Sequence, residues 1–200
     1  MQYFDSLPKI IEKDSAGIAR IFTNLMARVS VKPNVLTNPL VYYTYDIQEG
    51  DTPEIIAHKY YGDSYRYWVV LFANQILDPQ WNWPLSSRVF QDHLINKYGN
   101  IESLYNTTHH YEKTISSYDV NTNITTTNIV EIDENTYNNI FESTNTYTLP
   151  TGNVTVTITK KAVSVYDYEL NLNESKRNIK ILNSIYVDQL ETEFKKLMSV

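Results

Sequence analysis

A Thr- and Asn-rich stretch in the middle of the chain limits the possible folds more than any other feature. Residues 106–160 are dense in Thr and Asn and sparse in charge, and within 153–159 the apolar residues Val154, Val156 and Ile158 alternate with polar ones. This period of two is typical of a β-strand. Before and after the stretch, apolar residues recur every three or four positions, which is the period of a helix. The sequence therefore predicts an α+β fold with a β-rich insert.

The overall composition is that of a folded protein and excludes several functional classes. The chain has 200 residues, of which 42% are hydrophobic and 20% charged, enough for one large domain or two small ones. Its formal net charge of −6 argues against nucleic acid as a partner. With no Cys there is no disulfide, thiolate nucleophile or Cys-based zinc site. No apolar run resembles a signal peptide or membrane span, so we expect a protein made and used in a cytosol, or exported inside something else.

The N-terminal quarter has the pattern of an amphipathic helix followed by an irregular arm. A helix is predicted over 14–29, with Asp14 or Ser15 as its N-cap. Pro33 and Pro39 then interrupt the pattern, and a strand rich in Val and Tyr is predicted over 40–47. The predicted helix rests on apolar residues at positions i, i+3, i+4, i+7 and i+11, namely Ile18, Ile21, Phe22, Leu25 and Val29.

Two short helices are predicted next. The first begins either with Thr52 as N-cap and Pro53 at the first helical position, or with Asp51 as N-cap and Glu54 completing a capping box. It ends at Gly62, the residue best able to adopt a left-handed conformation after a helix. The second begins at Asp63 or Ser64 and ends at Asp78-Pro79, and its apolar stripe includes Trp68, Leu71 and Phe72.

The remaining elements are predicted from similar local signals. A further helix is predicted over 85–97 and ends at Gly99, and a hairpin pairs 146–149 with 153–159 through Pro150-Thr151-Gly152. For 118–128 a disordered loop stays an alternative to a strand. The C-terminus reads as a strand over 179–182 and then a helix from Ser184, with one apolar face formed by Val187, Leu190, Phe194 and Leu197.

No pattern of residues predicts catalysis, a cofactor or a metal. His109 and His110 are neighbours on a predicted strand and should point to opposite faces. Asp119-x-Asn121-x-Asn123 imitates an EF-hand loop, but Ile124 and Val130 stand where that loop needs Gly and Glu. Asp51 and Glu54 are explained as carboxylates at a helix start. We therefore expect no catalytic, cofactor-binding or metal-binding residues.

The aromatic residues point to packing and protein contacts instead. Tyr (17) far outnumbers Phe (6), and Tyr suits wet, partly exposed interfaces. Trp68 lies on a helix stripe and is predicted to be core. Trp81 and Trp83 lie in a segment predicted to be irregular and extended between Asp78-Pro79 and Pro84. For these two indoles, covering the helical unit and anchoring an interface remain alternatives.

One stretch resembles a LysM module, a βααβ unit that binds peptidoglycan or chitin sugars. The residues that carry this resemblance are Tyr45-Asp46-Ile47-Gln48-Glu49-Gly50-Asp51-Thr52, then Ile56-Ala57, Tyr60, Gly62-Asp63, Leu71 and Asn74. The closing strand of such a module does not follow. The segment 78–84 stands in its place, so the glycan groove is not expected to form.

A longer string resembles the LysM-like baseplate wedge protein family of contractile-tailed bacteriophages of the T-even type. The string runs from Tyr60-Tyr61-Gly62-Asp63 through Tyr67-Trp68-Val69, Leu71, Asn74 and Asp78-Pro79 to Trp83. The approach from Ile21-Phe22 to Tyr42-Tyr43 and the C-terminal segment Asn173-Glu174, Arg177 and Ile179-Lys180-Ile181 are also similar to that family.

This resemblance implies a non-enzymatic structural protein of the virion, assembled in the host cytoplasm. It would be present in sixfold-related copies that bridge neighbouring wedges and contact other wedge proteins and the sheath initiator, with no nucleic acid, membrane or small-molecule substrate. The alternative is a LysM-type glycan-binding module. The expected organisation is an N-terminal helix and arm (1–40), a LysM-like module with its following helix (41–99), a β-rich insert (100–168) and a C-terminal strand and docking helix (169–200).

Two sets of residues follow from this interpretation. The structural core of the module is expected to contain Ile47, Gly50, Ile56, Gly62, Trp68 and Phe72. The interface with partners is expected to contain Tyr61, Tyr67, Trp81, Trp83, Pro84, Phe194 and Leu197.

Overall fold

The computed structural model describes residues 3–13, 15–150 and 152–198. It contains helices and strands in an α+β arrangement, as predicted. The chain divides into two compact units, one formed by Met1–Ser87 with Glu174–Val200 and the other by Arg88–Asn173. The helix predicted over 85–97 thus belongs mainly to the second unit, whereas the sequence grouped it with the module.

The elements are numbered in chain order. The strands are β1 (Lys9–Lys13), β2 (Ala19–Thr23), β3 (Tyr42–Asp46), β4 (Thr108–Asp119), β5 (Ile124–Ile132), β6 (Ser143–Leu149), β7 (Gly152–Ser164) and β8 (Asn178–Leu182). The helices are α1 (Pro33–Leu36), α2 (Pro53–Tyr61), α3 (Tyr67–Ala73), α4 (Pro79–Asn82), α5 (Ser87–Tyr98), α6 (Ile101–Asn106), α7 (Glu134–Asn139), α8 (Val165–Glu174) and α9 (Val187–Met198).

The first unit is built on a two-stranded antiparallel sheet of β3 and β8, in a register that runs from Tyr42 opposite Leu182 to Asp46 opposite Asn178. Within this unit, α2, α3 and α4 lie between the two strands in sequence. Strand β8 is the strand predicted over 179–182, and it pairs with β3. The core of the unit includes side chains without solvent exposure from α2, α3, β8 and α9, among them Ile56, Val69, Val70, Ile181 and Val187.

Local signals at the start and end of α2 explain its boundaries. The Thr52 hydroxyl accepts a hydrogen bond from the Ile55 amide at 3.4 Å, and Pro53 takes the first helical position. Of the two alternative starts, the Thr52 cap is thus the correct one. The helix ends at Gly62, whose φ of 70° is left-handed. Asp51 does not cap the helix, because its Oδ2 accepts from the Tyr45 hydroxyl at 2.6 Å and from the Gln48 amide at 3.1 Å.

The predicted N-terminal helix is wrong. Residues 9–13 and 19–23 form an antiparallel hairpin, with Ile10 opposite Phe22 and Ile11 opposite Ile21. Gly17 in the connecting turn has a φ of 79°, a conformation that suits glycine and ends any helical pattern. The apolar spacing from Ile18 to Val29 also fits a helical period, but Ala19–Thr23 pairs with Lys9–Lys13 as a strand instead. Asp14, one of the two predicted caps, lies outside the described residues.

The second predicted helix is shorter than expected, and the segment after it is not extended. Helix α3 ends at Ala73, and Gln75 has a φ of 56°. Trp81 lies in α4, a single turn whose start is fixed by the Asp78 carboxylate, which accepts from the Gln80 amide at 3.0 Å. The Asp-Pro step therefore begins a helical turn, and the prediction of an irregular segment is corrected.

The C-terminal elements confirm the sequence reading. Strand β8 and helix α9 follow each other as predicted, with a 3-10 turn over Ser184–Tyr186 between them. Helix α9 is fastened to the module by Arg66, which contacts Asp188 Oδ1 at 2.7 Å and Glu191 Oε1 at 3.0 Å.

The second unit contains a four-stranded antiparallel sheet in the order β5-β4-β7-β6. The hairpin of β6 and β7 is confirmed, although Thr151 in its turn lies outside the described residues. The alternative of a disordered loop over 118–128 is wrong, because Tyr118 pairs with Thr125 in a second hairpin. Asn123 provides the left-handed residue of that turn, with a φ of 53°.

A buried carboxylate joins two helices of the second unit. Glu169 of α8 is 6% exposed and accepts hydrogen bonds from Lys97 Nζ and the Tyr98 hydroxyl, both 2.7 Å away. Burial alone would raise the pKa of this carboxyl group, but the hydrogen bonds from Lys97 and Tyr98 outweigh burial and hold the pKa below its ordinary value.

Candidate protein-binding surfaces

The described part of the chain has no group of three or more His, Asp or Glu side chains placed to hold a metal ion. None of the helices in 3–13, 15–150 and 152–198 is long and apolar enough to cross a membrane. The Asp119 carboxylate caps a turn by accepting from the Asn121 amide at 2.9 Å.

The prediction that His109 and His110 point to opposite faces is wrong. The strand register shifts between Thr108 and His110, which is a β-bulge, and the two Nδ1 atoms lie 2.8 Å apart. His109 also stacks on Tyr168, with 3.7 Å between the ring centroids, and His110 Nε2 lies 3.1 Å from Glu112 Oε1. These contacts tie β4 to α8.

The residues expected in the core fall into two groups. Ile47, Ile56 and Trp68 are buried, and Phe72 is half-buried against the same cluster. Gly50 and Gly62 are exposed, so their assignment to the core is wrong. Their φ values of 85° and 70° show that they serve turns of the module instead.

Three of the residues expected at an interface are buried within the chain itself. Tyr61, Pro84 and Phe194 are all buried, which contradicts their assignment as contact residues in this conformation. Burial raises the pKa of the Tyr61 hydroxyl well above its ordinary value. The Phe194 ring lies in an aromatic cluster, 4.9 Å from Trp68 and 5.3 Å from Tyr3 between centroids.

The other expected interface residues differ in exposure. Tyr67 and Trp83 are half-buried against the core, and the Trp83 indole Nε1 donates to the Asp51 carbonyl oxygen at 3.0 Å. Trp83 therefore packs against the core of the first unit. Trp81 is 61% exposed and Leu197 is 58% exposed. Only these two of the seven present most of their surface to solvent.

One exposed apolar element of the first unit is the hairpin with its following residues, here called the arm (9–13 and 15–26). Ile11 and Ile21 lie side by side on one face and are 73% and 71% exposed. Ile10 and Phe22 lie on the other face and are also exposed. A two-stranded hairpin with apolar side chains on both faces is marginal in water on its own. The arm thus has the properties of a segment that is covered in an assembly.

A second apolar surface lies along α9. It is a groove of about 420 Å³, here called the α9 groove, between this helix and the chain from Val29 to Tyr42. Three polar or charged residues, Lys32, Gln189 and Glu193, line the groove. Most of the other lining residues are apolar, among them Val35, Val41, Leu182, Leu190 and Leu197.

Of the residues that form these two surfaces, the sequence had placed Phe194 and Leu197 of the α9 groove at an interface. The arm could have been found from Gly17, because two apolar and β-branched runs on either side of a Gly-containing turn are a hairpin signal. For the α9 groove, the sequence indicated the apolar stripe of α9 but not the wall that faces it, because the two walls are more than 140 residues apart in the sequence.

A protein of this kind, with an α+β fold and apolar surfaces exposed on separate elements, fits the class of structural proteins that assemble with others. The similarity of the sequence to known families identifies the family within this class. The chain matches the family described as "Base plate wedge protein 53" over residues 3–198 and belongs to that family.

A similar protein is the baseplate wedge protein gp53 of Enterobacteria phage T4. It is 34% identical over 83 residues, which cover 39% of this chain and 42% of that relative. The aligned part thus spans less than half of the length of the curated relative.

Proposed function

We propose that this protein is a non-enzymatic component of a phage tail baseplate that bridges or clamps neighbouring wedges through protein contacts. Membership of the baseplate wedge family supports the setting in the virion. The observation that carries the bridging role is the arm, whose apolar side chains project on both faces. A two-faced element can be covered from both sides at once, as a bridge requires.

The α9 groove and Trp81 supply further contact surfaces of the same unit. Large aromatic side chains such as an exposed indole are common anchors in interfaces. By the family resemblance, the partners are other wedge proteins, the sheath initiator and the neighbouring wedge, with copies related by sixfold symmetry. Assembly takes place in the host cytoplasm before the protein resides in the baseplate.

The arm gives a direct test of this proposal. The double variant Ile11→Ser/Ile21→Ser removes the apolar pair from one face and keeps the hairpin register. We expect it to melt like the wild type, because both side chains are exposed, and to lose binding to wedge complexes assembled from the same phage. Sedimentation of the mixed components measures the binding.

A matched control uses another cross-strand pair of the same hairpin. Glu12 lies opposite Arg20, and the double variant Glu12→Ser/Arg20→Ser should retain most of the binding. Equal binding by wild type and Ile11→Ser/Ile21→Ser would show that the arm is not a bridge.

Glycan binding remains a second candidate, and one observation favours it. Strand β8 completes the β-α-α-β order that the LysM resemblance implies, so the absence of a closing strand no longer argues against a glycan groove. We expect no cleavage of peptidoglycan, since the sequence has no pair of carboxylates outside helix starts that could serve glycoside hydrolysis. We also expect no binding, because membership of the baseplate wedge family favours contacts with other proteins. Saturable co-sedimentation with sacculi at micromolar protein, or release of soluble fragments, would overturn this expectation.

A further inference from the structure

The four-stranded sheet of the second unit has two chemically different faces. Because directly paired residues of an antiparallel sheet point to the same side, the register assigns each side chain to a face. One face, here called the hydroxyl face, carries cross-strand pairs such as Ser116–Thr127, Thr144–Thr157 and Thr146–Thr155, whose hydroxyl oxygens are 2.9 to 3.3 Å apart. The opposite face, here called the apolar face, also carries polar residues, among them Asn128, Asn145, Lys113, Asp119 and Lys160, but it holds most of the apolar side chains of the sheet: Ile115, Ile124, Val130, Tyr147, Leu149, Val154, Val156 and Ile158.

The apolar face is mostly uncovered. On the edge strands Ile124, Val130, Tyr147 and Leu149 are exposed, and on the central strands Ile115 and Ile158 are only half-buried. An antiparallel sheet with one polar and one apolar face normally packs its apolar face against other structure.

Helix α7 covers one end of this face. The Tyr137 ring lies 4.5 Å from the Tyr111 ring between centroids, and Lys160 Nζ donates to the Tyr137 carbonyl oxygen at 2.7 Å. At the end of the sheet that carries the β4–β5 turn, Ile124 and Leu149 on this face are exposed.

The charges on the central strand β4 are arranged in a self-complementary way. Lys113, near the end that α7 covers, and Asp119, at the opposite end, lie on the same face with Ile115 and Ser117 between them. If two such faces pack with antiparallel β4 strands about a twofold axis midway between Ile115 and Ser117, Lys113 of each copy lies opposite Asp119 of the other. A twofold interface requires this kind of self-complementarity.

We propose that the free protein pairs with a second copy of itself through the apolar face, forming a two-layer sheet sandwich that protects this surface before assembly. Two sheets packed face to face lie about 10 Å apart, with their side chains interdigitated. The part of the face that α7 leaves free has four strands and about seven residues, roughly 20 Å by 24 Å, which is below the area of a standard stable interface. The pair is therefore expected to dissociate in the micromolar range, and it can open when other partners bind.

Analytical ultracentrifugation of the full chain across the micromolar range tests the proposal. We expect a reversible monomer–dimer equilibrium. Lys113→Asp and Asp119→Lys should each raise the dissociation constant about tenfold or more, because like charges then face each other twice. The double variant Lys113→Asp/Asp119→Lys should restore dimerisation. Asp119→Asn, which keeps an acceptor for the Asn121 amide, should weaken the dimer without disturbing the turn.

Controls separate this interface from other modes of association. Thr157→Asp places a charge on the hydroxyl face of the same strand that carries Val156 and should leave the dimer intact, whereas Val156→Asp should abolish it. Circular dichroism verifies that each variant is folded. If Val156→Asp does not fold, the dissociation constants of the single charge reversals and of the double variant Lys113→Asp/Asp119→Lys test the proposal by themselves. A chain that stays monomeric at every concentration would overturn the proposal. So would a dimer whose dissociation constant is unchanged by the charge reversals.

Discussion

The side-chain amide of Asn74 pairs with both backbone groups of Lys180. Asn74 Oδ1 accepts from the Lys180 amide at 2.8 Å, and Asn74 Nδ2 donates to the Lys180 carbonyl oxygen at 2.7 Å. The same Nδ2 also donates to the Val70 carbonyl oxygen at 2.8 Å. Asn74 thus occupies the outer edge of β8 as a neighbouring strand would, and it fixes the end of α3 to the strand that closes the module.

Asn74→Ala should destabilise the first unit by about 1–2 kcal/mol, because one backbone donor and two backbone acceptors each lose a hydrogen bond at a partly solvated edge. Urea unfolding measures the change in free energy of unfolding. Asn82→Ala, an exposed amide on the single turn α4, is the control and should have little effect. A variant at Asn74 as stable as the wild type would mean that water replaces the amide without cost.

The sequence predicted the elements whose boundaries depend on neighbouring residues. Helix α2 begins with Thr52-Pro53 and ends at Gly62, and these signals act within the helix itself. The β6–β7 hairpin was found for the same reason. The family was recognised from a string of residues between Tyr60 and Trp83, which contains Asn74.

The contacts between distant segments could not be predicted in this way. The apolar stripe of α9 was correctly found, but no local pattern shows that Phe194 packs against Trp68 while Leu197 stays exposed. Likewise, nothing near Trp83 indicates that β8, about a hundred residues later, pairs with β3. The N-terminal hairpin was not predicted, because the residues from Ile18 to Val29 also satisfy a helical period. Tertiary context decides between the helix and the hairpin.

The stability of the second unit should fall in acid, and Glu169 should account for part of the fall. Its pKa in the folded protein is lowered, so its contribution is fully present above the pKa of an unfolded Glu, about 4.3. This contribution is lost as the pH falls through the lower, folded pKa.

Glu169→Gln should therefore reduce the free energy of unfolding at neutral pH and flatten its dependence on pH in the acidic range. Glu131→Gln, on the exposed strand β5, is the control and should keep the wild-type slope. Denaturant unfolding at a series of pH values measures both effects. A slope unchanged in Glu169→Gln would show that other carboxylates cause the acid sensitivity.

The first unit should fold without the second. Its core cluster is drawn entirely from residues before Ser87 and after Glu174. The Glu49 carboxylate accepts from the Ser87 amide at 2.7 Å and lies 3.6 Å from Arg177 Nη2, so the two chain ends that would be joined are close together.

Replacing 88–173 by a short Gly/Ser linker should thus give a soluble protein that melts cooperatively, because a short loop between close ends has a small entropic cost. Calorimetry and circular dichroism measure the transition. Deletion of only 106–160, the β-rich stretch recognised in the sequence, is the comparison. We expect this variant to be less soluble and to melt less cooperatively, because it removes most of the sheet but leaves α5 and α8. A deletion of 88–173 that is unfolded would mean that the second unit belongs to the core.

The three tryptophans should differ in what their loss affects. Trp68 is 3% exposed, and its ring lies within 5.7 Å of the rings of Tyr3 and Phe194 between centroids. Trp68→Ala leaves a cavity in this cluster and should cost about 3–5 kcal/mol, enough to unfold a marginal domain. Trp83→Ala removes a half-buried ring and the hydrogen bond to Asp51, so it should destabilise the protein by a smaller amount.

Trp81→Ala should leave the melting temperature nearly unchanged, since most of the indole is in solvent, and should weaken association with wedge complexes. Trp68→Phe is the control for the core, because it keeps an aromatic ring in the cluster and should recover much of the lost stability. Melting temperature and wedge binding are measured for each variant. If Trp81→Ala unfolds the monomer as severely as Trp68→Ala, then Trp81 holds the fold together, and its assignment as an interface anchor is wrong.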